Sequence, residues 1–261
     1  MAFHFKQFSI DDSNCPMKVG TDSVLLGAWT DFSSASTVLD IGTGCGILAL
    51  MAAQKSTAMI TAIEIDAGAC MQASGNFKLS PWSERLLCRN IGLEQFNGLL
   101  KNGIKPDAEN NPELIFNEGL LVSDKYSTNF DHIITNPPYF INSLKSPVQS
   151  RNKARHTDDL PLEVLMEKTA SLLANGGRLS IVFPYKESQL LISLASLHNL
   201  NLSQKLNIIP KEGKDPNRVL LEFRKGQAEK KVEENLAIRD RSGVYTQEYR
   251  KLTNLFYLHL T

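Results

Sequence analysis

The chain has 261 residues, is 42% hydrophobic, and balances 28 basic against 28 acidic side chains for a formal net charge of +0. That is enough apolar material for the core of one large domain, 1–261, and the neutrality means that any nucleic-acid partner must be met by a local basic patch. The four cysteines (Cys15, Cys45, Cys70, Cys88) form no Cys-x-x-Cys pair and complete no zinc-ligand spacing with the five histidines, which predicts a reduced, metal-free, cytoplasmic protein.

In chain order, residues 1–36 form a short extension before the first strand. Its opening Met-Ala-Phe-His-Phe-Lys has no charged segment followed by a long apolar run, and no stretch of the chain approaches the roughly 18 apolar residues of a membrane span. Thr37–Ile41 reads as a strand entering a glycine-rich turn, and 47–54 offers good helix formers. Met59–Ile65 is a second strand, followed by a helix from Gly68 to about Leu79 that Pro81 stops. Leu86–Arg89 is a third strand. Glycines, Pro106 and Asn110-Asn-Pro112 mark 97–129 as an insertion with a short element around Leu114–Phe116. Phe130–Thr135 is a fourth strand running into Asn136-Pro-Pro-Tyr139.

Further on, Pro161–Leu173 has helical apolar spacing and a stop at Asn175-Gly-Gly177, and Arg178–Phe183 is a strand. Lys186–Leu197 is another helix and Arg218–Phe223 a late strand. Residues 226–261 form an appendage, with a charged connector or hairpin near 224–234 and a helical pattern at Tyr249, Leu252 and Phe256. The alternation predicts an α/β fold with a doubly wound, mostly parallel sheet and an antiparallel edge strand.

Two turns carry chemistry. Glycines after the first strand let a ligand approach the backbone, and the next helix presents unpaired N–H groups at its positive dipole end. A dinucleotide or an amino-acid-bearing nucleoside suits such a place, but the dinucleotide fingerprint wants a glycine where this chain has Ile47. Glu64 and Asp66, at the end of the second strand, compete as the carboxylate for a ribose diol. In the second turn the prolines fix the backbone, so that the Asn136 oxygen and the Pro137 carbonyl can each accept an N–H of a planar amino group while Tyr139 stacks on it. An ordinary Pro-Pro loop ending a strand is the plainer reading of the same residues.

Asp40-Ile-Gly-Thr-Gly-Cys-Gly46 resembles the first motif of class I S-adenosylmethionine methyltransferases. The resemblance implies that Gly42, Gly44 and Gly46 back the methionine part of S-adenosyl-L-methionine, that Asp40 lies near its amino group, that Glu64 rather than Asp66 takes the ribose, and that Asn90 stands where an acidic residue near adenine is usual. Asn136-Pro137-Pro138-Tyr139 is similar to the catalytic signature of amino methyltransferases acting on adenine, guanine or glutamine amide.

Met17–Trp29, the aromatic start and Arg218–Phe223 resemble the bacterial tRNA1(Val) adenine-37 N6-methyltransferase family over most of residues 3–225. Lys18, Thr21 and Asp22 would then line the cofactor site from outside, with Thr21 or Asp22 also capping a helix. The implied activity is methyl transfer to N6 of a tRNA adenine, with adenosine 37 of tRNA1(Val) as the specific expectation; the sequence leaves the oligomeric state open, with a monomer favoured. Lys145, Arg151, Lys153, Arg155 and His156, extended by Arg218, are the candidate phosphate contacts. The alternatives are rRNA guanine N2, DNA adenine or protein glutamine on the same scaffold, and, outside it, a non-catalytic nucleoside-binding module or a nicotinamide-dependent reductase.

Overall fold

The computed structural model describes residues 2–101, 129–138, 160–226 and 231–258. Strands β1 (Ala2–His4) and β2 (Ser9–Asp11) make a small antiparallel hairpin. Helix α1 (Thr21–Trp29) then precedes the alternation β3 (Thr37–Ile41), α2 (Ile47–Lys55), β4 (Met59–Glu64), α3 (Ala67–Lys78), β5 (Leu86–Asn90), α4 (Leu93–Lys101) and β6 (Phe130–Thr135). After it come α5 (Leu162–Leu172), β7 (Leu173–Pro184), α6 (Ser188–Leu197), β8 (Leu200–Ile209), β9 (Arg218–Lys225), β10 (Val232–Ala237) and α7 (Gln247–Thr253).

One eight-stranded sheet runs β10-β8-β9-β7-β6-β3-β4-β5. The chain builds outward from β3 through β4 to β5, then returns to lay β6 on the other side of β3. The carboxyl ends of β3 and β6 therefore flank the switch point, the place where open α/β sheets bind ligands. Helices cover both faces, and the apolar core divides into a cluster that includes α1, α2, α3 and α7 and another that includes α4, α5 and α6.

Two expectations are corrected and one strand is added. The antiparallel strand is not at the edge: β9 lies between β7 and β8, antiparallel to both, and β8 and β10 continue the sheet beyond it in the parallel sense. β8 is not announced by the sequence, because Asn201, Ser203, Lys205 and Asn207 break up its apolar signal; it is held by long-range pairing with β9 and β10. Residues 97–101, read as the start of an insertion, complete α4, and the predicted element at Leu114–Phe116 lies outside the described residues.

Two packing details position the site. Lys55, at the end of α2, donates from Nζ to the carbonyls of Gly27, Ala28 and Thr30, which satisfies the α1 C-terminus and locks α1 to α2. Asn76 of α3 donates from Nδ2 to the Asp11 and Cys45 carbonyls and accepts from the Asp11 N–H, tying the N-terminal hairpin to the glycine turn. The four cysteines are free and buried, and Cys70 and Cys88, scattered in sequence, bring their sulfurs to 3.0 Å.

Candidate active site

The glycine turn leaves β3 with Gly42, Gly44 and Gly46 all in the left-handed region, at φ of 68°, 56° and 89°. The three are not equivalent. A Cβ on Gly42 or Gly44 would meet nothing within 4 Å, so these two present bare backbone to open space. A Cβ on Gly46 would stand 2.5 Å from the ring of Phe77, which is fully buried in α3. Gly42 and Gly44 thus leave room for a ligand, whereas Gly46 lets α2 close onto α3.

Asp40 braces this turn from beneath. It is completely buried, and its Oδ2 accepts from the Thr43 hydroxyl and from the Ala49 N–H in the first turn of α2. Oδ1 has no hydrogen-bond partner among the described residues, and burial pushes the carboxyl up to about 7. Asp40 therefore acts on the shape of the loop and the α2 N-terminus rather than from the open side of the turn.

At the end of β4, Glu64 and Asp66 separate cleanly. The Glu64 carboxylate accepts from the Gly44 N–H and the Asp66 N–H, both at 2.9 Å, so it lies at the mouth of the turn. Asp66 faces away and caps α3, its Oδ1 accepting from Ala69 N–H at 2.7 Å. Asn90, at the end of the adjacent β5, donates from Nδ2 to the Glu64 and Ile65 carbonyls, leaving its carbonyl oxygen as the acceptor end. Between them Ile65 is 64% exposed beside Gly92, a bare apolar side chain at the rim.

Ile41 pairs with Thr135 across β3 and β6, and the Thr135 hydroxyl donates to the Ile41 carbonyl at 2.8 Å. Gly42 and Asn136 therefore begin their loops side by side. Asn136 donates from Nδ2 to Ser23 Oγ of α1 at 2.8 Å; Pro137 is buried and Pro138 exposed. Tyr139 lies outside the described residues, as do Lys145, Arg151, Lys153, Arg155 and His156.

The outer residues are also placed. Thr21 is exposed as the first residue of α1, with Gly20 rather than a side chain as the cap. Lys18 is exposed and donates to the carbonyls of Asp12 and Ser13, closing the loop before α1. Asp22 pairs with Arg218, Oδ2 to Nε 2.9 Å, which joins α1 to the head of β9. The bond gives Arg218 a structural partner beside its reading as a phosphate contact.

The donor set fits an amino-acid-bearing nucleoside: open backbone at Gly42 and Gly44, a carboxylate at the mouth, an amide oxygen and an apolar side chain at the rim. Relatives of the chain span its whole length. A protein of Phocaeicola vulgatus named tRNA1(Val) (adenine(37)-N6)-methyltransferase is 40% identical over 99% of this chain and 98% of its own. Proteins of the same name from Shewanella loihica and Bacteroides fragilis are each 39% identical, covering 100% of both chains in the first case and 99% of this chain and 98% of the relative in the second. The chain belongs to this family.

The model of the Eco57I restriction-modification methylase family also matches, over residues 58–209, from β4 to β8 and including Asn136. Among solved structures, a predicted O-methyltransferase of Agrobacterium tumefaciens superposes with a TM-score of 0.61 at 19% identity, over 90% of this chain and 96% of its own. A methyltransferase of Pyrococcus furiosus gives 0.52 at 20% identity, over 84% and 90%. These likenesses show the class I methyltransferase fold in this tRNA1(Val) methyltransferase family member.

Sequence reasoning passed over Ser23, Ile65 and Asn76. Ser23 and Asn76 had a faint signal, as polar residues on the buried faces of helices, 8% and 3% exposed. Ile65 reads as an ordinary strand residue until the strand ends before it.

Proposed function

We propose that this protein transfers the methyl group of S-adenosyl-L-methionine to the exocyclic N6 of adenosine 37 of tRNA1(Val), in the cytoplasm, as a one-domain monomer. The observation that carries the reading is the pairing of Ile41 with Thr135, which sets the glycine turn and the Asn136-Pro-Pro turn side by side. Family membership selects the amino group. No helix among the described residues is long and apolar enough to cross a membrane.

Gly42, Gly44 and Gly46 with Glu64 and Asn90 would hold the cofactor, with Lys18, Thr21 and Asp22 outside them and Asp40 shaping the turn. When bound, the cofactor supplies an electrophilic methyl group on a sulfonium. The protein's task is to make a poor nucleophile good. An adenine amino nitrogen delocalises its lone pair into the ring; the Asn136 oxygen and the Pro137 carbonyl accept its two N–H groups out of the ring plane, which favours a pyramidal nitrogen with a directed lone pair. Tyr139 stacks on the base. The amino protons become acidic as the nitrogen is alkylated, so no strongly basic side chain is needed. Lys145, Arg151, Lys153, Arg155 and His156 would meet the phosphates beside a flipped-out base.

The test is methyl transfer from labelled donor to separate tRNA, rRNA, DNA and protein pools, followed by a tRNA1(Val) transcript with adenosine or guanosine at 37. Label confined to tRNA and lost with the guanosine transcript is expected. Label in protein or DNA but not in tRNA overturns the reading.

A further inference from the structure

An asparagine that must accept a proton can present the wrong end. The two ends of its amide have nearly equal shape and opposite polarity, so its hydrogen-bond partners alone decide which one faces a substrate. Asn136 donates from Nδ2 to Ser23 Oγ at 2.8 Å. That bond spends an N–H on α1 and fixes the carbonyl oxygen as the other in-plane branch of the amide.

Ser23 is 8% exposed in a helix whose next three residues, Val24, Leu25 and Leu26, are apolar and essentially buried, so its hydroxyl is a buried polar group that needs a partner. Its partner lies 113 residues away in the chain. The helix that carries it is fastened at both ends, by Asp22 to Arg218 of β9 and by Lys55 to the last carbonyls of α1. A hydroxyl on a helix held this way is a fixed post against which a loop side chain can be oriented.

We propose that Ser23 is a positioning residue of the methyl-transfer reaction, holding the Asn136 side chain in the rotamer and orientation that aim its carbonyl oxygen at the substrate amino group. The inference rests on the reading of Asn136 as an acceptor. Ser23 acts through Asn136, its hydrogen-bond partner.

The test is single-turnover methylation of tRNA1(Val) transcript by Ser23→Ala, Ser23→Thr, Asn136→Ala and the Ser23→Ala/Asn136→Ala double variant, with calorimetric S-adenosylmethionine binding and thermal unfolding for each. Ser23→Ala should slow transfer about 10- to 10²-fold, the size of effect expected when a reacting group is misplaced, while cofactor affinity stays within about twofold. Ser23→Thr, which keeps the hydroxyl, should recover most of the rate. The double variant should be no slower than Asn136→Ala alone, because a residue that acts through Asn136 has nothing left to position; this decides the matter even if threonine crowds the site. A Ser23→Ala rate within twofold of wild type, or an equal loss with and without Asn136, overturns the inference about Ser23 alone. Wild-type activity in Asn136→Ala overturns the acceptor reading beneath it as well.

Discussion

The two halves of the site are held by different means. The cofactor half is assembled from neighbours: Asp40 reaches Thr43 and Ala49, Glu64 reaches Gly44 and Asp66, and Asn90 joins from the adjacent strand. The acceptor half is three described residues at the end of β6, of which Asn136 is bonded to a helix 113 residues earlier in the chain. The glycine turn is closed by several bonds within and beside it, whereas the Asn136 side chain is oriented by that long-range bond. Substitutions in the first half should therefore register in cofactor affinity or in stability, and those in the second in the rate of transfer.

The largest separation is expected for Asn136→Ala, which should lower the single-turnover rate about 10²- to 10³-fold, as loss of one fixed polar contact to a reacting group does, with cofactor affinity unchanged. Parallel loss of affinity, read by calorimetry, would erase the distinction between the halves. Gly46→Ala should cost about 3 kcal/mol in urea unfolding, since the left-handed backbone and the clash with Phe77 both resist a side chain. Gly44→Ala, with a similar backbone but open space around its Cβ, should cost only about 1 kcal/mol and weaken cofactor binding instead. If both glycines behave alike, the division of the turn into packing and binding positions is wrong.

Glu64→Gln should weaken the cofactor by about 1.5–3 kcal/mol while leaving the rate at saturating cofactor nearly intact.

The smallest net effect concerns pH. Asp40 is raised by burial to about 7 from an ordinary 3.8, so the stability of its buried neutral form is complete below 3.8 and is lost as pH rises through about 7. His132, fully buried and hydrogen-bonded through Nε2 to Ser180, is depressed by burial to about 3 from 6.5, so its contribution is present above 6.5 and is lost as pH falls towards 3. Between pH 7 and 5 the two oppose each other, at about 2 kcal/mol each, and their joint contribution to stability should be nearly flat. In His132→Gln only the Asp40 contribution remains, and stability measured by urea unfolding should rise by about 2 kcal/mol from pH 7 to 5 relative to wild type. An unchanged profile would show that His132 is not held neutral by burial.

Legibility in the sequence follows the same division. β3, β4, β5 and β6 were readable because strands buried on both faces are short apolar runs, and the glycine turn because left-handed backbone and a helix start impose their own residues on the chain. β8 was not, because alternating polar residues are tolerated in a strand whose partners supply the hydrogen bonds, and β9 was found while its place between β7 and β8 was not. Nor could spacing alone separate Glu64 from Asp66, since the choice depends on which of the two caps α3. By itself the sequence determined the two turns, because each is a local constraint written in consecutive residues, and their resemblance to methyltransferase motifs supplied the expected reaction class. Only the tertiary structure decided that Ile41 and Thr135 lie in register, that Gly46 packs where Gly42 and Gly44 stay open, and that Ser23 faces Asn136. Those are contacts between residues far apart in the chain, settled by the packing of helices on a sheet rather than by any local propensity.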